Sequence, residues 1–371
     1  MSAALPGATG EDRQKRRPQG RARRPALAAV LVLLAAAVAC GSAYLWLQRD
    51  FRAPGPAGTS TRIEIGPGAS LRSVLARMEA AGSVRHARAV VWYLRLHARQ
   101  PRMQAGTYEI PARASPAQII TLFEEGKVVL EQLTVVEGTT FADFVQALDQ
   151  HPQVAHTLQG KTPAEIMTAL GHAGVAPEGQ FFPDTYRFAA HTPDVVILGL
   201  AYDGMQHVLA AAWQLRHTGL PFADPYQALI LASMVEKEAA LKSERARIAG
   251  VFVNRLHRNM RLQSDPTVIY GLGERYEGSI HTRDLLRDTP YNTYTREGLP
   301  PTPIALPGRE SVMAAVQPEE TGALYFVATG LGDGAHHFSR TLEEHNSAVQ
   351  TYLERLREQE RQARMQDSAR P

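Results

Sequence analysis

Two glutamates, Glu236 and Glu238, stand two apart in "LASMVEKEAALKSERARIAGVFVNRL", residues 231–256, on a stretch that is otherwise strongly apolar. The stretch has the pattern of a helix. At about 100° per residue, Leu231, Met234, Val235 and Leu241 fall within about 60° of Glu238. Glu236 points about 160° away, beside Ala232, Ser233 and Ala240. Glu238 therefore continues the apolar face, and Glu236 with Lys237 falls off it. An apolar setting disfavours an ionised carboxylate and raises its pKa, which suits a general acid. The same pattern also fits a buried glutamate paired with an arginine for structure, and both readings stay open on these residues alone.

Three later stretches bear on the choice: "RLQSDPTVIYGLG" (261–273), "TPYNTYTREGLPPTPIALPG" (289–308) and "ALYFVATGLGDGAHHFSRTLEEHN" (323–346). They are dense in Asn, Gln, Thr, Tyr and Pro. Proline fixes loops at low entropy, tyrosine supplies a planar face, and amides supply hydrogen bonds. That combination suits a sugar ring, which has apolar faces and a polar rim. Five prolines between 300 and 318 exceed what a plain connection needs. His336, His337 and His345 cluster, with Glu343 and Glu344 between them, but no H-x-x-x-H or H-E-x-x-H spacing occurs, and no metal site or cofactor is expected. G-x-S-x-G, P-loop and G-x-G-x-x-G motifs are absent, and Ser233 has no histidine near it in sequence.

The rest of the chain must position these residues. Its 371 residues, 44% of them apolar, suffice for one membrane segment and about two domains. The single cysteine, Cys40, excludes an internal disulfide and a cysteine-based zinc site. Residues 1–24 carry seven Lys/Arg and two acids, a local +5 that leaves about −2 for the remainder. The basic excess thus sits in the tail, and no nucleic-acid partner is expected. "PALAAVLVLLAAAVACGSAYLWLQ" (25–48) follows. About 23 residues without a charge are enough to span a bilayer, with Tyr44 and Trp46 at the level of an aromatic belt. The preceding arginines keep the N-terminus in the cytoplasm and export the rest. The alternative is a cleaved signal peptide. The run is longer than an ordinary h-region and no small-x-small site ends it, which favours an anchor. "AVA" before Cys40 is a poor lipobox.

The predicted organisation is an α+β chain: a cytoplasmic basic tail (1–24), a transmembrane helix (25–48) and a Pro/Gly/Ser linker (49–60). A small α+β module (61–127), a larger mixed α/β domain (128–355) and a charged tail (356–371) follow. In the module, Leu71, Val74, Leu75 and Met78 share one helix face, and Ser115-Pro116 opens a helix carrying Ile119, Ile120 and Phe123. In the larger domain, Thr140 is positioned to cap a helix, and "PEGQFFPDTYRF" (177–188) is expected as a loop within mostly helical sequence.

"ASMVEKEA", "FFPDTY", "RLQSDPTVIYG", "YNTYTREGLPPTPI" and "HFSRTLEEHN" together resemble the endolytic murein transglycosylase family, the MltG or YceG-like proteins. The resemblance runs from the apolar segment to about residue 355. It implies a single-pass inner-membrane protein with a LysM-like module at 61–127 and an external domain that cuts peptidoglycan glycan strands between N-acetylmuramic acid and N-acetylglucosamine, leaving 1,6-anhydro ends. It implies that Glu238, the second glutamate of the E-K-E motif, is catalytic. Gln263, Asp265, Tyr291, Asn292, Thr293 and Tyr294 match motifs around the family's cleft and become candidate substrate-binding residues. A synthase partner of the penicillin-binding type, and a role in ending glycan elongation, are further implications. Ser264 stands where the family often has Thr, and Met234 where it often has Ile or Leu. Asp265 and Glu236 remain candidate second acids, which would allow hydrolysis instead. A non-catalytic glycan-binding scaffold is the third reading.

Overall fold

The computed structural model describes residues 23–66 and 68–368. The basic tail expected over 1–24 lies outside these residues, apart from its last two. The described chain is mixed α+β and divides into two units, Met1–Val129 and Leu130–Pro371.

The first unit opens with helix α1 (Arg23–Arg52), whose side chains from Leu27 to Leu45 are exposed and whose apolar stretch has a mean hydropathy of 2.2. It is a candidate anchor or signal segment. The helix runs four residues past the expected end at 48, into the expected linker. Phe51 is the reason: it is buried, and its ring stacks on Tyr93 at 4.1 Å. Then come β1 (Thr61–Ile65), α2 (Leu71–Ala80), α3 (Ala87–Leu96), β2 (Gly106–Ile110) and α4 (Pro116–Glu124). β1 and β2 pair antiparallel, with Ile63 opposite Tyr108. Val74, Leu75 and Met78 of α2 are fully buried against Val90 and Leu94 of α3 and against Ile119, Ile120 and Phe123 of α4. Ser115 caps α4 with a capping box, its hydroxyl accepting from the Gln118 N–H at 3.3 Å. β3 (Val128–Thr134) begins here, Val128 and Val129 pairing with Tyr108 and Thr107, so the unit closes two residues beyond the expected boundary. Residues 71–102 hold seven arginines and one acid, Glu79. The basic excess is therefore not confined to the tail, a correction to the whole-chain charge argument.

In the second unit, β3 from Leu130 onward pairs antiparallel with β5 (Thr185–Ala189). Between them lie α5 (Phe141–Gln150), capped by the expected Thr140, β4 (Val154–Ala155) and α6 (Pro163–Ala169). Segment 177–188 is loop only as far as Asp184; from Thr185 it is strand, because β3 offers it a long-range partner that local periodicity does not reveal. β6 (Thr192–Pro193) makes a short parallel pair with β4 and leads into α7 (Asp194–Gln214). α7 is apolar enough to cross a membrane, with mean hydropathy 1.4, but Ile197, Leu198, Met205 and Leu209 pack into the cores of this unit. α8 (Pro225–Glu238), α9 (Arg245–His257), α10 (Asp265–Leu272), α11 (Thr282–Leu286) and α12 (Arg309–Val316) follow. The antiparallel hairpin β7 (Tyr325–Ala328) and β8 (His336–Ser339) precedes α13 (Leu342–Ser368). α13 runs to Ser368 through the residues expected as a charged, frayed helical tail. Gln359 of this helix donates to the Gly330 carbonyl at 2.8 Å, which ties it back to the hairpin loop.

α8 is the centre of this unit. Every residue from Ala228 to Val235 is buried, enclosed by α7, α9 and α12. The one-faced helix expected from the sequence is thus corrected to one wrapped on all sides. The segment that follows α12 passes close to α9 at Gly250, where an added Cβ would sit 2.2 Å from the Glu319 carbonyl oxygen. Helix propensity alone favours Ala over Gly by about 1 kcal/mol. The backbone clash outweighs that gain, and Gly250→Ala is predicted to destabilise the protein by roughly 1–3 kcal/mol in denaturant unfolding.

Candidate active site

Asp224 caps α8 by accepting the Gln227 N–H at 3.0 Å, Pro225 occupies its first turn, and Ala239 turns to extended backbone at its end. Both glutamates therefore lie in the final turn. Their surroundings differ. The Glu236 carboxylate accepts from Arg245 Nη2 at 2.7 Å and from the Gly308 N–H at 2.9 Å. Arg245 also donates to Glu310 at 2.6 Å and to Glu137 at 3.2 Å. The Glu236 and Arg245 side chains are 5% and 6% exposed. Glu236, although it falls off the apolar face by angle, is thus enclosed. It forms the buried arginine pair that the sequence had left as one reading of Glu238.

Glu238 has no such partner among its described contacts. Its Oε1 accepts one hydrogen bond, from Ser264 Oγ at 2.6 Å. Burial pushes the carboxyl up to about 7, and the nearby negative charge of Asp265 acts in the same direction. The Ser264 hydrogen bond and the positive charges of His336, when protonated, and of Arg255 oppose the rise. The last turn of a helix is also the negative end of its dipole, which disfavours a second negative charge. The net result is a carboxyl that carries its proton for a large fraction of the time at neutral pH.

The "LQSDP" and "YNTY" stretches interlock around it. The Ser264 N–H donates to Thr293 Oγ1 at 2.9 Å, Thr267 Oγ1 donates to the Ser264 carbonyl at 2.7 Å, and the two threonine hydroxyls meet at 2.9 Å. Gln263 adopts the left-handed φ of 52°, held by its N–H on the Thr293 carbonyl at 3.1 Å. Buried Arg255 spends its guanidinium on the Leu324 carbonyl at 2.6 Å, the Leu262 carbonyl at 2.9 Å and Gln263 Oε1 at 3.2 Å. Asp265 accepts from the Tyr294 hydroxyl at 2.5 Å. His336 meets Glu244 twice, through Nδ1 at 2.8 Å and through its N–H at 3.0 Å.

The structure thus gathers Glu238, Gln263, Asp265 and Tyr294, with the first of them half-buried and Gln263 and Asp265 exposed. It puts Asn292 and Thr293 beneath them. Asn292 has no exposed surface; its amide donates to the Arg287 and Leu285 carbonyls at 2.7 and 3.0 Å and accepts from the Tyr294 N–H at 2.8 Å. Both residues shape the loop from within. Tyr291 belongs to a neighbouring group: its hydroxyl meets Thr302 at 2.8 Å and its ring lies 4.8 Å from Tyr270. Tyr270 in turn donates at 3.0 Å to Glu178, a second carboxyl that burial pushes up to about 7. Arg255 and Glu244 carry no sequence expectation, and Ser264 and His336 enter it only as a family departure and as part of a histidine cluster. The visible signal for Arg255 is a charge inside the apolar "VFVNRL". Among the described residues, Asp149, His156 and Asp194 are close enough together to hold a metal, but Asp194 already accepts the Leu158 and Val195 N–H groups at 2.9 and 2.8 Å.

The profile of the YceG-like family matches residues 63–351. The chain is similar to the endolytic murein transglycosylase of Bacillus subtilis (strain 168), 29% identical over 316 residues that cover 80% of this chain and 85% of that protein. It is 26% identical over 324 residues to the endolytic murein transglycosylase of Streptococcus pneumoniae (strain D39), covering 78% of this chain and 58% of that longer protein. A crystal structure of a YceG-like protein from Listeria monocytogenes is 29% identical, covering 78% of this chain and 99% of that one with a TM-score of 0.48.

The asymmetry between the glutamates has a consequence in stability. An unfolded glutamate titrates near pH 4.3, whereas folded Glu238 titrates at about 7. Between those values the folded state holds the extra proton, so the wild type loses stability as pH rises, by at most about 1.4 kcal/mol per unit, and the loss levels off above the folded value. Urea unfolding of wild type and Glu238→Gln across this range should show the variant gaining on the wild type from pH 4.5 to 7. A constant difference would mean that Glu238 titrates normally.

Proposed function

The chain belongs to the YceG-like family, and from that premise we propose that it is a lytic transglycosylase that cuts the glycan strands of peptidoglycan. The observation that carries this reading is the Glu238 carboxyl, buried at the end of α8 with a single hydroxyl partner and raised to about 7. A protonated carboxyl at neutral pH is what bond cleavage at a glycosidic oxygen needs.

In the proposed reaction, Glu238 donates its proton to the oxygen linking N-acetylmuramic acid to N-acetylglucosamine as the C1–O bond breaks. The carboxylate so formed then takes the proton from the C6 hydroxyl of the muramyl residue. That oxygen attacks C1 and closes a 1,6-anhydro ring. The proton count balances, no water is consumed, and one carboxyl serves first as acid and then as base. Gln263 and Tyr294 border the carboxyl and would orient the sugar by hydrogen bonds. Asn292, Thr293 and Ser264 act from below by holding that surface, and Tyr291 acts from the adjoining aromatic group. Hydrolysis is the second reading, favoured by Asp265, whose negative charge reaches Glu238 and which could serve as a second carboxylate.

Around this chemistry we propose the wider arrangement that family membership suggests. α1 is a single-pass anchor in the inner membrane with its N-terminus cytoplasmic. The unit that follows it is a LysM-like glycan-binding module, the larger unit is the catalytic domain, and both lie outside the membrane. Holding the cleft close to where strands emerge would let cleavage end their elongation, beside a synthase of the penicillin-binding type.

Mass spectrometry of glycan strands digested by the full-length protein in detergent tests the reaction. Wild type is expected to leave 1,6-anhydro ends, and Glu238→Gln to lose roughly 10²–10⁴-fold in rate. Reducing ends that carry a water oxygen would move the assignment to hydrolysis with Asp265 as partner; undiminished cutting by the variant would remove Glu238 from the chemistry. Ser264→Ala removes the hydrogen bond that holds the Glu238 pKa down, so the alkaline limb of its pH–rate profile should move to higher pH.

A further inference from the structure

The first unit fixes a second helix beside the end of the apolar one. Tyr44 of α1 stacks on His97, just past the end of α3, with ring centres 6.0 Å apart. Trp46 lies against His86, just before the start of α3, at 5.3 Å. Four residues further along α1, Asp50 meets His86 Nδ1 at 3.0 Å. Both ends of α3 are therefore held at the level of residues 44–50 of α1. A bilayer core needs about 20 helical residues, so a span that begins at Leu27 ends near Trp46, and Tyr44 lies about 6 Å short of Gln48, the first polar residue after the run.

The side of α3 turned away from the core is suited to that level. Val90 and Leu94 point inward and are buried. Arg88, Trp92, Arg95 and Leu96 recur at helical spacing on the opposite side. Trp92 is 58% and Leu96 60% exposed, a high value for residues of this size, and the Arg95 guanidinium stands 5.9 Å from the Trp92 ring. Trp92 and Arg88 share one concavity with Ala43 and Leu47 of α1, so this face is continuous with the surface of the apolar helix itself. Of the seven arginines in residues 71–102, Arg99 is engaged by Glu124 and Arg77 by the Glu64 carbonyl. Indole rings at headgroup depth flanked by arginines are the arrangement of a helix lying in a membrane interface.

We propose that the outward face of α3 lies in the headgroup layer of the bilayer that α1 crosses, with Trp92 and Leu96 at the acyl boundary and Arg88 and Arg95 on anionic lipid phosphates. This rests on α1 being a membrane anchor. The consequence is that the first unit is seated on the membrane surface rather than swinging from a flexible tether, which fixes where the chain leaves the membrane.

Full-length protein in mixed phosphatidylcholine–phosphatidylglycerol vesicles tests this, with brominated lipids as fluorescence quenchers. One variant, Trp46→Phe with Trp213→Phe, leaves Trp92 as the reporter; a companion, Trp92→Phe with Trp213→Phe, leaves Trp46. Trp92 should emit at a shorter wavelength than indole in water and lose emission to lipids brominated near the headgroup more than to those brominated at the chain end. Arg88→Glu with Arg95→Glu should relieve that quenching while Trp46 stays quenched. If Trp46 is quenched and Trp92 is not, α1 is in the membrane and the α3 face stands clear of it, which overturns the proposal. It is equally overturned if soluble glycan strands, and not lipids, change Trp92 emission. If neither tryptophan is quenched, the anchor reading itself fails.

Discussion

Keeping a carboxyl un-ionised near neutral pH requires that water be excluded and that no cation stand close enough to compensate the charge. Both conditions are met at the last residue of α8. The helix is enclosed by α7, α9 and α12 over Ala228–Val235, so its end leaves Glu238 half-buried with its carboxyl largely withdrawn from water. Of the three arginines on α9, Arg247 pairs with Glu319 at 3.1 Å and the other two are likewise occupied elsewhere. Arg245 is taken up by Glu236, Glu310 and Glu137, and Arg255 by backbone carbonyls of the loops that follow. Had either been free to form a salt bridge with Glu238, the carboxyl would be a stable anion with no proton to give.

Glu236 serves as an internal comparison. It lies two residues away, on the same turn and at similar depth, and differs in having Arg245 and the Gly308 N–H as partners. Local sequence does not separate the two roles; the partners do, and they come from residues 9 and 72 positions distant. The Thr267 and Thr293 hydroxyls, bonded to each other and to the Ser264 backbone carbonyl and N–H, then fix the residue whose hydroxyl donates to Glu238. Rigid support of this kind keeps a catalytic group in one geometry without further charge near it.

How much of this was legible in sequence follows from the range of each signal. Caps at Ser115 and Thr140, and the apolar faces of α2 and α4, depend on neighbours three or four residues away and were read correctly. The strand at Thr185–Ala189 depends on β3, some fifty residues earlier, and local sequence there predicts only a loop. Angular position singles out Glu238 on the expectation of one buried face, whereas α8 is buried from Ala228 to Val235 and Glu236, off that face, is paired inside. The motif residues 291–294 were grouped as one binding set. Burial within that turn divides them, two buried residues flanked by two half-buried ones: Tyr294 reaches the Glu238 side, Tyr291 joins the Tyr270 group, and Asn292 and Thr293 form the base. Net charge over the whole chain concealed the arginine-rich face of α3, because acids elsewhere cancel it.

The protonation state of Glu238 is the claim on which the mechanism rests, and infrared difference spectroscopy reads it directly. The carbonyl stretch of a neutral carboxyl is distinct from the carboxylate bands. Subtracting the spectrum of Glu238→Gln from that of the wild type isolates the residue from Glu178, the other carboxyl raised by burial. A neutral-carboxyl band is expected at pH 6 that disappears with a midpoint of about 7. A band lost with a midpoint near pH 4 to 5, the range of an ordinary glutamate, would contradict it.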